Sequence, residues 1–139
     1  MIVWLASYPK SGNTLLRSML AAYLFSNDGN YFFGLIKNIK QFPHGGLFTN
    51  LGIDINNHNE TIKNYVRVQE TFNKKDAVQF LKTHSYLFNF NKQYPFTNFN
   101  NSLGVIYIVR DPRNIVSSFA KFRNTTIENA AEFMIKSSG

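Results

Sequence analysis

The first 25 residues divide into an apolar run, a polar turn and an amphipathic segment. Residues 2–6 have the length and composition of a buried strand. After the turn, apolar residues recur every three or four positions, as on one face of a helix that begins at about Asn13. These residues are Leu15, Leu16, Met19, Leu20, Tyr23 and Leu24. The pattern predicts a strand, a loop and a helix, in that order.

A second strand-to-helix unit is predicted near the end of the chain. Residues 103–109 form a continuous, β-branched apolar run, which is typical of a central parallel strand buried on both faces. Asp111 follows as the predicted N-cap of a helix, with Pro112 at the first helical position. Apolar residues of the helix then recur at Ile115, Val116, Phe119 and Phe122. This unit repeats the plan of the first 25 residues.

The rest of the pattern predicts a short strand and two more helices. The strand covers 77–81, one helix covers 60–74, and a last helix follows a capping box of Thr125 and Glu128. Two irregular connections, at 27–59 and 85–102, are rich in Asn and aromatic residues, and the first contains at most a short helix at 35–40. Connections this long are often lids or binding loops.

Strands that alternate with helices predict an α/β fold, here a P-loop-like parallel sheet flanked by helices in three layers. We expect one domain over residues 1–139, and because the chain stops directly after a predicted helix, we expect that domain to be incomplete at its C-terminus. Ligands of such sheets bind at the carboxyl ends of the strands. The three strand ends, at 8–14, 82–84 and 110–112, all carry polar side chains.

Composition narrows the classes of partner and of chemistry. The net charge of +7 favours an anionic partner, which could be nucleic acid, an anionic membrane surface or a phosphorylated small molecule. The absence of cysteine excludes disulfides, thiolate catalysis and cysteine-ligated zinc, and with three histidines no metal site is expected. The apolar start is too short for a signal sequence and no segment has the length to cross a bilayer, so we expect a soluble, cytoplasmic chain.

The turn between the first strand and the first helix has the composition of an anion-binding site. Its residues are Tyr8-Pro9-Lys10-Ser11-Gly12-Asn13-Thr14. The first N–H groups of a helix lack intrahelical partners and carry the positive end of the helix dipole. A phosphate is therefore expected in this turn, with Lys10 beside it.

Three segments together resemble the sulfotransferases that use 3′-phosphoadenosine 5′-phosphosulfate (PAPS). The turn is similar to the loop that binds the 5′-phosphosulfate, and Lys82-Thr83-His84 resembles the Lys-Thr-His catalytic segment of that family. Residues 105–118 resemble its 3′-phosphate-binding strand and helix, with Arg110 and Ser118 eight residues apart. The order along the chain is also that of the family, and the likeness is greatest to the cytosolic type.

The resemblance implies a role for each matching residue. His84 is the expected general base, Lys82 stabilises the sulfuryl oxygens, and Lys10 stabilises the oxygen of the departing nucleotide. Ser11 and the N–H groups of Gly12, Asn13 and Thr14 are expected to hold the 5′-phosphate, and Arg110 and Ser118 the 3′-phosphate. The resemblance also implies PAPS as the co-substrate with no metal, and a small-molecule acceptor with a hydroxyl or amine as the partner; neither nucleic acid nor a membrane is expected.

Two features depart from the family pattern. Leu15 stands where the family has the tryptophan that stacks on adenine, and the C-terminal Arg-Lys-Gly-x-x-Gly segment that clamps the 3′-phosphate is absent.

The residues also allow other functions. A P-loop kinase or nucleoside triphosphatase shares the strand, loop and helix, but its loop has lysine after the last glycine, whereas Lys10 precedes Gly12. A basic nucleic-acid-binding module and a nucleotide-binding fragment without turnover are further alternatives. For Arg110, the structural alternative is an ion pair with Asp111 or Asp76.

Overall fold

The computed structural model describes residues 1–73, 77–85, 87, 89–90 and 92–136. Its helices and strands include the predicted strand-to-helix units at both ends of the chain. In chain order they are β1 (Ile2–Ser7), α1 (Asn13–Phe25), a 3-10 helix (Phe33–Asn38), α2 (Gly45–Thr49), α3 (His58–Lys63), α4 (Tyr65–Glu70), β2 (Gln79–Thr83), β3 (Asn89–Phe90), β4 (Tyr94–Pro95), β5 (Ser102–Ile108), α5 (Pro112–Arg123) and α6 (Ile127–Lys136).

A three-stranded parallel sheet lies at the centre of the fold, with strands in the order β2-β1-β5. Ala6 of β1 lies opposite Thr83 of β2 and Tyr107 of β5, so the three strands end at about the same level. Strands β3 and β4 form a separate antiparallel pair. The parallel arrangement brings the segments that follow β1, β2 and β5 to one edge of the sheet.

Helical segments cover both faces of β1, which confirms the predicted α/β architecture. Side chains alternate along a strand, so Trp4 and Leu5 point to opposite faces. Trp4 belongs to a core built with α2, α3 and α4, where Phe42, Phe48 and Tyr65 are buried. Leu5 packs in a second core with α1 and the 3-10 helix.

Strand β5 differs from the prediction of a central strand buried on both faces. It pairs with β1 and forms one edge of the described sheet. Its apolar side chains are largely exposed, with Val105 at 61% and Tyr107 at 65% of full exposure. The prediction of burial on both faces was wrong because an apolar run indicates a strand but does not show how many strands and helices pack against it.

Three other element predictions need correction. The helix predicted over 60–74 is instead two short helices that meet at Asn64. This residue is the C-cap of α3 and the N-cap of α4. Asn57 caps α3 by accepting a hydrogen bond from the N–H of Glu60. Strand β2 lies two residues beyond the predicted start and end. At α6 the hydroxyl of Thr126, rather than that of Thr125, accepts the hydrogen bond from the N–H of Asn129.

Candidate functional site

The turn after β1 has an unusual backbone conformation and leaves open space at the N-terminus of α1. Gly12 has φ of 102°, a left-handed conformation that L side chains rarely adopt, and Lys10 also has positive φ, at 69°. Gly12 is the N-cap of α1 and, as a glycine, has no side chain that could accept hydrogen bonds from the first N–H groups of the helix. Those groups are therefore left to an incoming ligand or to water. Ser11, within the turn, is buried, and its Oγ has no hydrogen-bond partner among the described residues.

Lys10 contacts two residues that follow β5 in the chain. Its Nζ lies 4.8 Å from the centroid of the Phe122 ring, within the range of a cation–π interaction. Its backbone carbonyl accepts a hydrogen bond of 3.2 Å from Nη1 of Arg110. The turn after β1 and the segment after β5 are thus joined directly.

His84 lies immediately after β2 and is held by the last residue of β1. Its Nδ1 is 2.8 Å from the backbone oxygen of Ser7 and 3.3 Å from Ser7 Oγ. Partial burial, and to a smaller degree the charge of Lys82, lowers the pKa of His84, while the hydrogen bond to Ser7 opposes the shift. A pKa below the ordinary 6.5 keeps the imidazole neutral at pH 7.

Lys82 is fixed by a residue from the first long connection. Its Nζ donates a hydrogen bond of 2.9 Å to Oε1 of Gln41. The backbone of Gln41 runs alongside β2, because the N–H of Phe42 donates to the carbonyl of Lys82 and the N–H of Lys82 donates to the carbonyl of Lys40. Burial, with repulsion from Arg17, lowers the pKa of Lys82.

Arg110 is directed toward the turn and not toward a carboxylate among the described residues. The carboxylate of Asp111 accepts a hydrogen bond from the guanidinium of Arg113. It also caps α5 by accepting a hydrogen bond from the backbone N–H of Arg113. The other acid considered for an ion pair, Asp76, lies outside the described residues. Ser118 is half-buried on α5, whereas Ser117 Oγ donates to the carbonyl of Arg113 in its own helix.

These strand ends surround one open cleft of about 610 Å³. Of the residues predicted for the site, all except Ser11 line it. The lining consists of Pro9, Lys10, Gly12, Asn13, Thr14, Lys82, His84, Arg110, Ser118, Phe119, Phe122 and Arg123. Every side chain of fixed charge in this lining is cationic, so the cleft suits a ligand with more than one negative charge.

The family comparison agrees with the motifs. A family model described as the sulfotransferase domain matches residues 2–137. The chain belongs to the sulfotransferase domain family. Comparison with curated proteins finds no match. Membership assigns the chain to a family of transferases that move sulfuryl groups.

In this family member, residues beyond the three motifs also contribute to the cleft. Phe122 follows Ser118 by four positions and so lies on the same face of α5, a spacing that the sequence contains. Arg123 also lines the cleft and lies over the rings of Phe119 and Phe133. The contact of Gln41 with Lys82 spans 41 residues and leaves no local signal in the sequence.

Among the described residues, no group of three or more His, Asp or Glu side chains is placed to hold a metal ion. Within the same residues, no helix has the length and apolar character needed to span a bilayer.

Proposed function

We propose that this chain transfers the sulfuryl group of PAPS to a small-molecule acceptor through a hydroxyl or amine, within a single domain over residues 1–139. The main support for the proposal is the position of the three motifs. The turn of Lys10, the pair Lys82 and His84, and Arg110 with Ser118 line the same cleft, although they lie on three separate strand ends. A nucleotide with phosphates at its 5′ and 3′ positions needs cationic groups at two points of one site.

The turn after β1 is proposed to hold the 5′-phosphosulfate. The N–H groups of Gly12, Asn13 and Thr14 stand at the N-terminus of α1, where the helix dipole favours negative charge. The buried, unpartnered Oγ of Ser11 fits a bound phosphate, because a buried hydroxyl without a hydrogen bond is costly.

Arg110 and Ser118 are proposed to bind the 3′-phosphate. The guanidinium presents several donors in one plane and matches the oxygens of a phosphate, and Ser118 adds a hydroxyl from α5. Arg110 already donates to the carbonyl of Lys10, so it lies next to the 5′-phosphate turn. The two phosphate positions are therefore adjacent in the cleft.

His84 is proposed to take the proton of the acceptor. The lowered pKa keeps its ring neutral at pH 7, as a general base requires. Lys82 is proposed to stabilise the charge on the sulfuryl oxygens, and Lys10 the charge on the departing nucleotide. Protein groups then supply positive charge and a base around an in-line transfer, and no metal is invoked.

Binding and turnover test the proposal separately. Titration calorimetry with 3′,5′-adenosine bisphosphate should give a measurable affinity, and ATP with magnesium should bind more weakly. Turnover is then measured with labelled PAPS and a panel of phenols, alcohols and amines, with His84→Ala as the control. Preference for ATP with magnesium would instead favour a kinase-like protein, and bisphosphate binding without transfer would indicate a nucleotide-binding module.

A further inference from the structure

We propose that Ser7 and Asn13 are positioning residues that hold His84 in one tautomer, with the lone pair on Nε2, and tie it to the phosphate-binding turn. This inference rests on the proposed function, because it takes His84 as the base of the reaction. Neither residue was selected for this role by the sequence motifs. Ser7 precedes the turn, and Asn13 was assigned only a backbone N–H.

The tautomer follows from the contact between His84 and the end of β1. A backbone carbonyl can only accept a hydrogen bond, so the 2.8 Å distance from Nδ1 of His84 to the oxygen of Ser7 requires the proton to be on Nδ1. In the neutral ring Nε2 then carries the lone pair. Ser7 Oγ, at 3.3 Å, adds a second, weaker acceptor on the same side of Nδ1.

Asn13 in turn fixes the end of β1. Its side chain is buried, at 4% of full exposure, and Nδ2 donates to the carbonyl of Leu5 at 2.8 Å and to Oγ of Ser7 at 3.1 Å. Because the carbonyl of Leu5 can only accept, the amide must present its nitrogen to β1. The first residue of α1 is thus joined by its side chain to the strand that holds His84.

These contacts form a continuous chain from the phosphate-binding turn to His84. The backbone N–H of Asn13 stands at the N-terminus of α1, and its side chain reaches Ser7, which contacts the imidazole. A displacement of the turn would therefore be transmitted to His84.

The test uses the full chain and compares Ser7→Ala with the conservative variant Ser7→Thr. The ¹⁵N NMR shifts of the His84 ring are recorded for each protein with 3′,5′-adenosine bisphosphate bound. The wild type should show the proton on Nδ1. Ser7→Ala keeps the backbone carbonyl, which still favours the proton on Nδ1, but it removes the second acceptor and the link to Asn13. We therefore expect a smaller population of that tautomer and a kcat lower by about 2- to 10-fold, with little change in bisphosphate affinity. Ser7→Thr should restore both properties.

Asn13→Ala removes two hydrogen bonds and should lower kcat further, by about 5- to 100-fold. Its bisphosphate affinity is measured separately, because its backbone N–H lies in the phosphate turn. If Ser7→Ala only destabilised the fold, its folded molecules would keep the wild-type tautomer.

A proton on Nε2 in the wild type would overturn the inference, even if a variant failed to fold. Unchanged tautomer and kcat in Ser7→Ala would overturn the role of Ser7. These results differ from failure of the proposed function, which would appear as a wild type that binds no bisphosphate and transfers no sulfuryl group.

Discussion

The two nitrogens of the His84 ring have different surroundings. Nδ1 faces the carbonyl of Ser7, and the ring lies in a cleft whose charged side chains are Lys10, Lys82, Arg110 and Arg123. Burial and the nearby positive charge of Lys82 both disfavour the imidazolium. The base form should therefore persist at lower pH than in a free histidine.

A pH profile checks this expectation. A general base acts when it is deprotonated, so a lowered pKa moves the acid limb of kcat/KM to a midpoint below 6.5. Lys82→Met should move the midpoint upward, since it removes a neighbouring positive charge. A wild-type midpoint above 6.5 would contradict the assignment of His84 as a base in this environment.

The ammonium of Lys82 should act on transfer more than on nucleotide binding. Lys82→Met keeps most of the side-chain volume and removes the charge, so we expect kcat to fall by about 10²- to 10³-fold. Bisphosphate affinity, measured by calorimetry, should change far less.

Gln41→Leu is the matched control, because it removes the 2.9 Å hydrogen bond to Lys82 but keeps the ammonium. Its kcat should fall less than that of Lys82→Met. An equal fall in both variants would show that the position of the amine, and not its charge alone, is essential.

At the level of elements, the sequence predicts best where a polar motif adjoins an apolar run. Residues 2–6 lie in β1 as predicted, and the turn that follows leads into α1 at Asn13. The sequence predicts this because the change from apolar to polar residues marks the end of the strand. Asp111 and Pro112 begin α5 as predicted, since the cap is a local contact with the N–H of Arg113.

Predictions that depend on neighbours were less accurate. The β-branched run of β5 was expected to be buried on both faces, yet Val105 and Tyr107 are exposed. Periodicity in 60–74 predicted one helix but could not show the break at Asn64, whose Nδ2 donates to the carbonyl of Glu60. Both outcomes depend on packing that a local pattern does not record.

The cap of α5 offers a test at this scale, because α5 carries Ser118 into the cleft. Asp111→Ala removes the acceptor for the N–H of Arg113 and the contact with its guanidinium, so the melting temperature should fall. Asp111→Asn retains a capping oxygen and should lose less stability. Both are measured by thermal unfolding followed by circular dichroism.

The contribution of the Asp111 carboxylate should also depend on pH. Hydrogen bonds from Arg113 hold the pKa of Asp111 below its ordinary 3.8. The stabilisation is therefore present above that value and is lost as the pH falls through the lower pKa of the folded state. If Asp111→Ala were as stable as the wild type at neutral pH, the capping role would be wrong.

For the whole molecule, the sequence predicted the location of the candidate site better than its internal contacts. Parallel strands must end at a common edge, so the motifs after β1, β2 and β5 could be expected to meet. The hydrogen bonds of Gln41 with Lys82 and of Ser7 with His84 could not be expected, because each joins residues far apart in the sequence.

The net charge of +7 indicated an anionic partner but not its kind. The distribution of charge is more informative, because four cationic side chains from separate elements line a single cleft: Lys10, Lys82, Arg110 and Arg123. An extended nucleic-acid surface would instead place such residues along one exposed face. This distribution of charge favours one compact ligand that carries negative charge at two ends.

The most direct test is a calorimetric cycle with two nucleotides and two proteins. Wild type and Arg110→Ala are each titrated with 3′,5′-adenosine bisphosphate and with 5′-AMP, which lacks the 3′-phosphate. The wild type should bind the bisphosphate about 10- to 100-fold more tightly than 5′-AMP, and Arg110→Ala should lose most of that difference while 5′-AMP binding changes little. Equal wild-type affinity for the two nucleotides would contradict a site that holds both phosphates.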